Sequence, residues 1–197
     1  MRLRLYHRPR SRSTRVLWAL EEAGLPYELE LVDRQRASSE EHRERHPLGR
    51  VPVLEQDGRC LFESGGLCLY VAELAPQAGL IAPAGTLERA LTYQWAFFCI
   101  SEVEPPLVAV MLARERDPAR AAEARERARR ACEVLERQLA QRDWLVGARF
   151  GVADILACSV LVFARALGLL DGLDAAVAYV ERLLARPAAQ RAYASAA

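Results

Sequence analysis

Lysine is absent from the 197 residues, so arginine alone supplies the basic charge. That charge has almost no surplus: 27 basic residues against 26 acidic ones leave a net +1. A protein that neutralises phosphates needs a basic excess, so a nucleic-acid partner is not expected. Also missing is an uninterrupted apolar run of the ~18 residues that a membrane helix requires. The longest candidate, 152–170, is broken by Asp154 and Arg165, so no membrane partner is expected either. No CxxC pair occurs. The five cysteines (Cys60, Cys68, Cys99, Cys132, Cys158) are odd in number and widely spaced. This argues against a disulfide scaffold and for reduced, packed thiols in a cytoplasmic protein. The first twenty residues carry six arginines, three hydroxyl residues and no acid, as an organelle transit peptide would. The same stretch reads well as a strand and a helix, and is taken as folded structure. There is no internal repeat.

What is present is enough for a core: 52% of residues are hydrophobic and 27% charged. The length suits one or two domains. The first half alternates between strand and helix. Residues 2–6 alternate apolar and basic as a strand does. Ser11 or Ser13 can cap a helix through Val16, Leu17 and Leu20 that Gly24 and Pro26 stop. Residues 27–32 and 51–54 read as two further strands. Asp57-Gly58 is a hairpin signal, with 60–62 as the return strand. Ser64 is read as the cap of a helix running to Leu74. Residues 33–46 are a polar loop or short helix.

Residues 76–86 are rich in proline and glycine and read as a linker. Beyond it, helices are predicted over 87–116 with a break at Pro105-Pro106, over 118–141 after the Asp117 cap, and over 152–167. A last helix capped by Asp174 stops before Pro187. The mixed Arg/Glu run at 125–129 reads as a solvated helix face. The expected fold class is thus α/β plus all-α: a βαβ-ββα unit over 1–75, then an α-helical bundle over 87–197.

Four segments together resemble the cytosolic glutathione transferase family, serine-type and bacterial-like. They are Tyr6-His7-Arg8-Pro9-Arg10-Ser11-Arg12-Ser13-Thr14-Arg15, His46-Pro47-Leu48-Gly49-Arg50-Val51-Pro52-Val53-Leu54, Phe62-Glu63-Ser64, and Phe150-Gly151-Val152-Ala153-Asp154-Ile155. Each is weak alone; in this order and spacing they cover nearly the whole chain. The resemblance implies a thioredoxin-like first domain, glutathione as co-substrate, a small hydrophobic electrophile, no metal, and a homodimer. The implied activity is conjugation of the glutathione thiolate. Peroxidase or isomerase chemistry on the same site is one alternative, and a non-catalytic binding protein is another.

The same resemblance assigns the site. A free thiol titrates near ~8.5, so the enzyme must favour the thiolate. A hydroxyl at a helix N-terminus can do so. The family's position for that hydroxyl falls on Ser11, with Ser13 and Thr14 as near competitors and Tyr6 as the choice of tyrosine-type members. A plain capping serine is the alternative for Ser11. The absence of cysteine from 6–15 argues against the cysteine-type members. The family holds the bond before Pro52 cis, so that Val51 offers its backbone to the peptide part of glutathione. Arg50 is placed to meet a carboxylate. Glu63 is assigned to the γ-glutamyl ammonium and Ser64 to the γ-glutamyl carboxylate. Gly151 replaces the hydroxyl of the family's capping box, with Asp154 still able to accept from the Gly151 N–H.

Other features carry less. His42 and His46 lie four apart but lack a third metal ligand. His7 is read as a solvated side chain at a strand end, with tuning of the nearby thiolate as the alternative. Tyr93, Trp95, Phe97, Phe98 and Met111 form an aromatic-rich stretch, mostly core, with a subset lining the electrophile pocket. Arg8, Arg10 and Arg12 suit either an anionic co-substrate or a solvent-exposed loop.

Overall fold

The computed structural model describes residues 1–114 and 116–194. Residues 115 and 195–197, assigned above to the helical half, lie outside the described residues. The chain divides into two compact units, Met1–Ile81 joined by the segment from Arg186 onward, and Ala82–Ala185.

The first unit is thioredoxin-like. Its elements are β1 (Leu3–His7), α1 (Ser13–Ala23), β2 (Glu28–Leu31), two short helices α2 (Arg34–Ala37) and α3 (Glu40–Arg45), β3 (Val53–Gln56), β4 (Arg59–Phe62) and α4 (Ser64–Leu74). The sheet runs β2-β1-β3-β4, with β1 parallel to β2 and antiparallel to β3. Asp57 and Gly58 both take positive φ (49° and 83°), as a two-residue hairpin between right-twisted strands demands. β3 starts at Val53 rather than Val51, because residues 51 and 52 are used in a bend before the strand. Helix α1 is buried continuously from Ser13 to Leu20, and it packs on both α4 and a further helix, α10 (Pro187–Ala194).

That last helix corrects the sequence reading twice. The helix that starts at Asp174 does end before Pro187, at Leu184, but it is not the last: Pro187 opens α10 at a position where a missing N–H costs nothing. And α10 joins the first unit, where Arg186 makes a bidentate pair with Glu22 (2.6 and 2.8 Å) and Tyr193 meets Trp18 edge-on at 6.2 Å.

The second unit contains α5 (Leu87–Phe98), α6 (Glu104–Ala113), α7 (Pro118–Leu139), α8 (Val152–Ala166) and α9 (Asp174–Leu184). The break expected at Pro105-Pro106 lies one turn earlier. Residues 99–103 form a π-helical turn, which absorbs the two hydrogen bonds that the prolines cannot donate. The rod from Leu87 to Ala113 is therefore continuous, 27 residues, and long and apolar enough to cross a membrane by length and composition. Here it packs against α7 and α8 and buries Trp95, Val103, Leu107 and Val110. Helix α7 is capped by Asp117, whose carboxylate accepts from the Arg120 N–H at 3.0 Å. It lays Ala121, Ala124, Ala128, Cys132, Leu135 and Leu139 inward. Asp174 is the first residue of α9 and not its cap. Glu136 of α7 takes that role, accepting from the N–H groups of Ala175 and Ala176 at 3.1 and 2.7 Å. Within α8 only Asp154 is charged among the deeply buried positions, and it is fully used. It accepts from Gly151 N (2.8 Å), Leu145 N (2.9 Å) and Tyr179 OH (2.6 Å). No disulfide joins the five cysteines and four of them are buried, with burial raising the Cys132 thiol to about 11 and Cys68 to about 12.

Candidate functional site

Strand register brings three sequence-distant segments to one end of the first unit's sheet. Tyr6 of β1 pairs with Val53 of β3, and Val53 pairs with Phe62 of β4. The chain that leaves β1 toward Ser11, the chain that enters β3 through Val51-Pro52, and the chain that leaves β4 into Glu63-Ser64 therefore emerge side by side. Arg50, Val51, Pro52, Glu63, Ser64 and Ser11 all belong to these three exits.

The first exit is a tight loop held by its own hydroxyls. Ser11 is half-buried, and its Oγ lies 2.7 Å from the Arg8 carbonyl and 2.7 Å from Ser13 Oγ. It also accepts from the Ser13 N–H at 3.2 Å. Ser13 is fully buried. Its Oγ accepts from the Arg8 N–H (3.0 Å), sits 3.1 Å from the Arg8 carbonyl, and meets His7 Nδ1 at 2.8 Å. Arg12, not either serine, occupies the cap position of α1. Thr14 is buried and its hydroxyl has no hydrogen-bond partner. Tyr6 points elsewhere. Its ring stands edge-on to His42, beneath the Arg45 guanidinium at 4.9 Å, and its hydroxyl donates to Glu55 at 2.8 Å. Burial, then the bond to Glu55, push its phenol above the ordinary value.

The second exit is pinned from α3. The Arg50 carbonyl accepts from His42 Nε2 at 2.9 Å, which fixes the proton of that ring on Nε2. His46 Nδ1 accepts from the Leu48 N–H at 3.2 Å, and its ring lies 5.0 Å from that of Phe62. Gly49 has φ 58°, and a Cβ there would stand 2.5 Å from the Ala37 carbonyl oxygen, so no other residue fits. The Val51-Pro52 bond is cis and Val51 is buried against Tyr6, Val32, Ala37 and Val53, while the Arg50 side chain is exposed. Both histidines thus serve the loop. Among the described residues no three His, Cys, Asp or Glu side chains are gathered for a metal.

At the third exit the sequence misplaced the cap. Glu63 holds the capping position with φ 75° and ψ 101°, a left-handed conformation that side chains avoid, and its side chain is exposed without a capping bond. Ser64 is the buried first residue of α4. The first helical bond is Leu67 N to Glu63 O at 2.9 Å, so the N–H groups of Ser64, Gly65 and Gly66 precede the ladder, on a stretch almost bare of side chains.

The residue whose setting differs most from the sequence expectation is His7. It is fully buried, not solvated, and burial lowers its imidazole to about 4. Its Nε2 has no hydrogen-bond partner. The signal was present in the period-two pattern: Leu3, Leu5 and His7 share one face of β1, and both leucines are core.

Comparison with known proteins agrees along the chain. Residues 1–73 match the family "Glutathione S-transferase, N-terminal domain" and residues 90–187 match "Glutathione S-transferase, C-terminal domain". Glutathione S-transferase 4 of Zea mays is 33% identical over 90% of this chain and 85% of its own. The crystal structure of a glutathione transferase from Methylococcus capsulatus superposes with a TM-score of 0.91 at 32% identity, covering 98% of both chains. A sphingomonad glutathione S-transferase solved in complex with glutathione gives 0.84 at 29%, again over 98% of both.

Proposed function

Since the chain belongs to the glutathione S-transferase family and is a glutathione S-transferase by its relatives, we propose that it conjugates the thiolate of glutathione to small apolar electrophiles at the sheet end built by Ser11, Val51-Pro52 and Glu63-Ser64. The observation that carries this reading is the convergence of those three segments, each with chemistry for a different part of the tripeptide. The free N–H groups opening α4, with Ser64, suit the γ-glutamyl carboxylate, and Glu63 suits its ammonium. The backbone of Val51 suits the peptide, and the exposed Arg50 suits a terminal carboxylate. Ser11 is the hydroxyl assigned to the sulfur because it is half-buried, whereas Ser13 and Thr14 are buried and Tyr6 is engaged with Glu55. The glutathione bound by the sphingomonad relative supports the same ligand here.

In the reaction the sulfur lone pair forms the C–S bond to the electrophile, and the displaced group leaves with the electron pair of the bond that breaks. Lowering the thiol by about two units takes ~2.7 kcal/mol of preference for the anion, within reach of one hydroxyl donor and the N-terminus of α1. No metal enters this scheme. The reading extends to a homodimer, for which Leu48, Leu61 and Phe62 offer exposed apolar surface, and to a cytoplasmic setting, consistent with five cysteines that form no disulfide.

Replacing Ser11 by alanine tests the core of it. The thiol of bound glutathione is expected to rise by about one to two units, read as lost thiolate absorbance at neutral pH. An unchanged titration removes Ser11 from the role. Turnover of aromatic electrophiles in preference to a hydroperoxide supports conjugation; the reverse preference makes the site a peroxidase.

A further inference from the structure

Resting on Ser11 as the donor to the sulfur, we propose that His7 is a positioning residue for that hydroxyl, acting through Ser13 to set the direction in which the protons of the loop point. The chain of contacts is short: His7 Nδ1 to Ser13 Oγ at 2.8 Å, then Ser13 Oγ to Ser11 Oγ at 2.7 Å. Each hydroxyl has one proton and two lone pairs, and backbone N–H groups only donate. That leaves two polarities.

In the first, His7 carries its proton on Nδ1 and donates to Ser13. The Arg8 N–H fills the second lone pair of Ser13, whose own proton goes to Ser11. Ser11 then accepts from Ser13 Oγ and from the Ser13 N–H, and its own proton is the surplus one. It lies toward the Arg8 carbonyl at 2.7 Å and is free to turn to a thiolate.

In the second, His7 carries its proton on Nε2 and Ser13 donates to Nδ1. The 2.7 Å contact between the hydroxyls can then be bridged only by the proton of Ser11. Turning that proton to a sulfur would leave Ser11 Oγ facing both Ser13 Oγ and the Arg8 carbonyl with no proton between, whereas in the first polarity only the Arg8 contact is given up. Only the first polarity lets Ser11 donate to a sulfur while keeping its bond to Ser13.

The burial of His7 supports this role. Its imidazole is held neutral at ordinary pH, so it has one ring proton and the tautomer is a real choice. Nε2 has no partner in the protein, so the position of the ring proton is decided on the Nδ1 side, where Ser13 stands.

The test titrates the thiol of bound glutathione in Ser11→Ala, Ser13→Ala, His7→Leu and His7→Asn, with folding checked by far-UV circular dichroism and binding by calorimetry with S-methylglutathione. His7→Leu and Ser13→Ala are expected to raise the thiol by about one unit, roughly a tenfold fall in the thiolate-to-thiol ratio, with little change in binding of the S-methyl compound. His7→Asn, whose amide nitrogen stands where Nδ1 stood, is expected to stay within about twofold of the parent on the same scale. In the Ser11→Ala background His7→Leu is expected to add nothing. If Ser11→Ala shifts the thiol while Ser13→Ala and His7→Leu do not, the relay is overturned and the Ser11 reading stands. If Ser11→Ala itself shifts nothing, both fall. Nitrogen NMR of the histidine rings decides independently should His7→Leu fail to fold. The glutathione complex must show His7 protonated on Nδ1, and the Nε2 tautomer refutes the proposal.

Discussion

Asp154 in the second unit and His7 in the first are buried to the same depth, 1% and 0% exposed, and the protein treats them oppositely. Asp154 collects three donors from three places: the start of its own helix, the loop before it, and a tyrosine of α9. Nothing around it is left over. His7 has one partner for two ring nitrogens. The same contrast extends to the backbone nearby. Around α8 the chain keeps ordinary conformations apart from its glycines, whereas the exits of β1 and β4 hold Arg10 and Glu63 at positive φ. A buried polar group satisfied on every side builds a fold. Partial satisfaction alone marks no ligand site, since His42 Nδ1 and the Ser159 hydroxyl of α8 also lack partners; at His7 it coincides with strained residues at the sheet end proposed for glutathione.

The sharpest way to break the comparison is to remove the satisfied group. Asp154→Ala strands the N–H groups of Gly151 and Leu145 and the hydroxyl of Tyr179, each at about 1–3 kcal/mol, for a total of about 4 kcal/mol. The loss is read in urea denaturation followed by far-UV circular dichroism. A cost below about 1 kcal/mol would mean that water replaces the carboxylate, and that Asp154 is no keystone.

His7 is expected to act through pH instead. Burial lowers its imidazole from 6.5 to about 4, so the unfolded chain binds a proton in that window and the folded one does not. Its contribution is fully present above the unfolded value and is lost as pH falls toward the folded one, amounting to about 3 kcal/mol over the window. His46, lowered mainly by burial as well, adds a slope of the same sign. The difference between the parent and His7→Phe isolates the share of His7. Stability curves that stay parallel from neutral pH to pH 4 would show that the ring finds a proton acceptor on acidification.

The comparison also separates what was legible from what was not. Periodicity and turn chemistry revealed β1, the Asp57-Gly58 hairpin, α4, the Asp117 cap and the Gly151–Asp154 box, because each is decided by residues within one turn of one another. Tertiary partners decided the rest. Glu136 caps α9 from 38 residues before Asp174, which no local pattern announces. Pro187 reads equally as a stop or a start until Glu22 is seen beside Arg186. The site was legible only as three motifs; that they share one sheet end follows from the register of β1, β3 and β4. Glu63 falls between the strand expected at 60–62 and the cap expected at Ser64, and nothing in a glutamate announces its left-handed backbone.

That conformation supplies the smallest expected effect, and one of opposite sign to Asp154. Glu63 makes no capping bond, and its φ of 75° is one that glycine adopts freely and other residues at a cost of about 1–3 kcal/mol. Glu63→Ala keeps that cost. Glu63→Gly removes it, less the extra entropy that glycine brings to the unfolded chain. Glu63→Gly is therefore expected to be the more stable of the two by about 1 kcal/mol in urea denaturation. Both are expected to bind glutathione at least about tenfold more weakly by calorimetry, roughly the worth of one charge-assisted hydrogen bond. Equal stabilities would mean that the backbone is unstrained there, and undiminished affinity would detach the carboxylate from the γ-glutamyl ammonium. At Asp154 losing the carboxylate harms the fold. At Glu63 the fold is expected to do better with glycine than with alanine, and on the proposed γ-glutamyl assignment binding is what suffers, because an exposed carboxylate without a capping bond is left to face a ligand and not a partner in the fold.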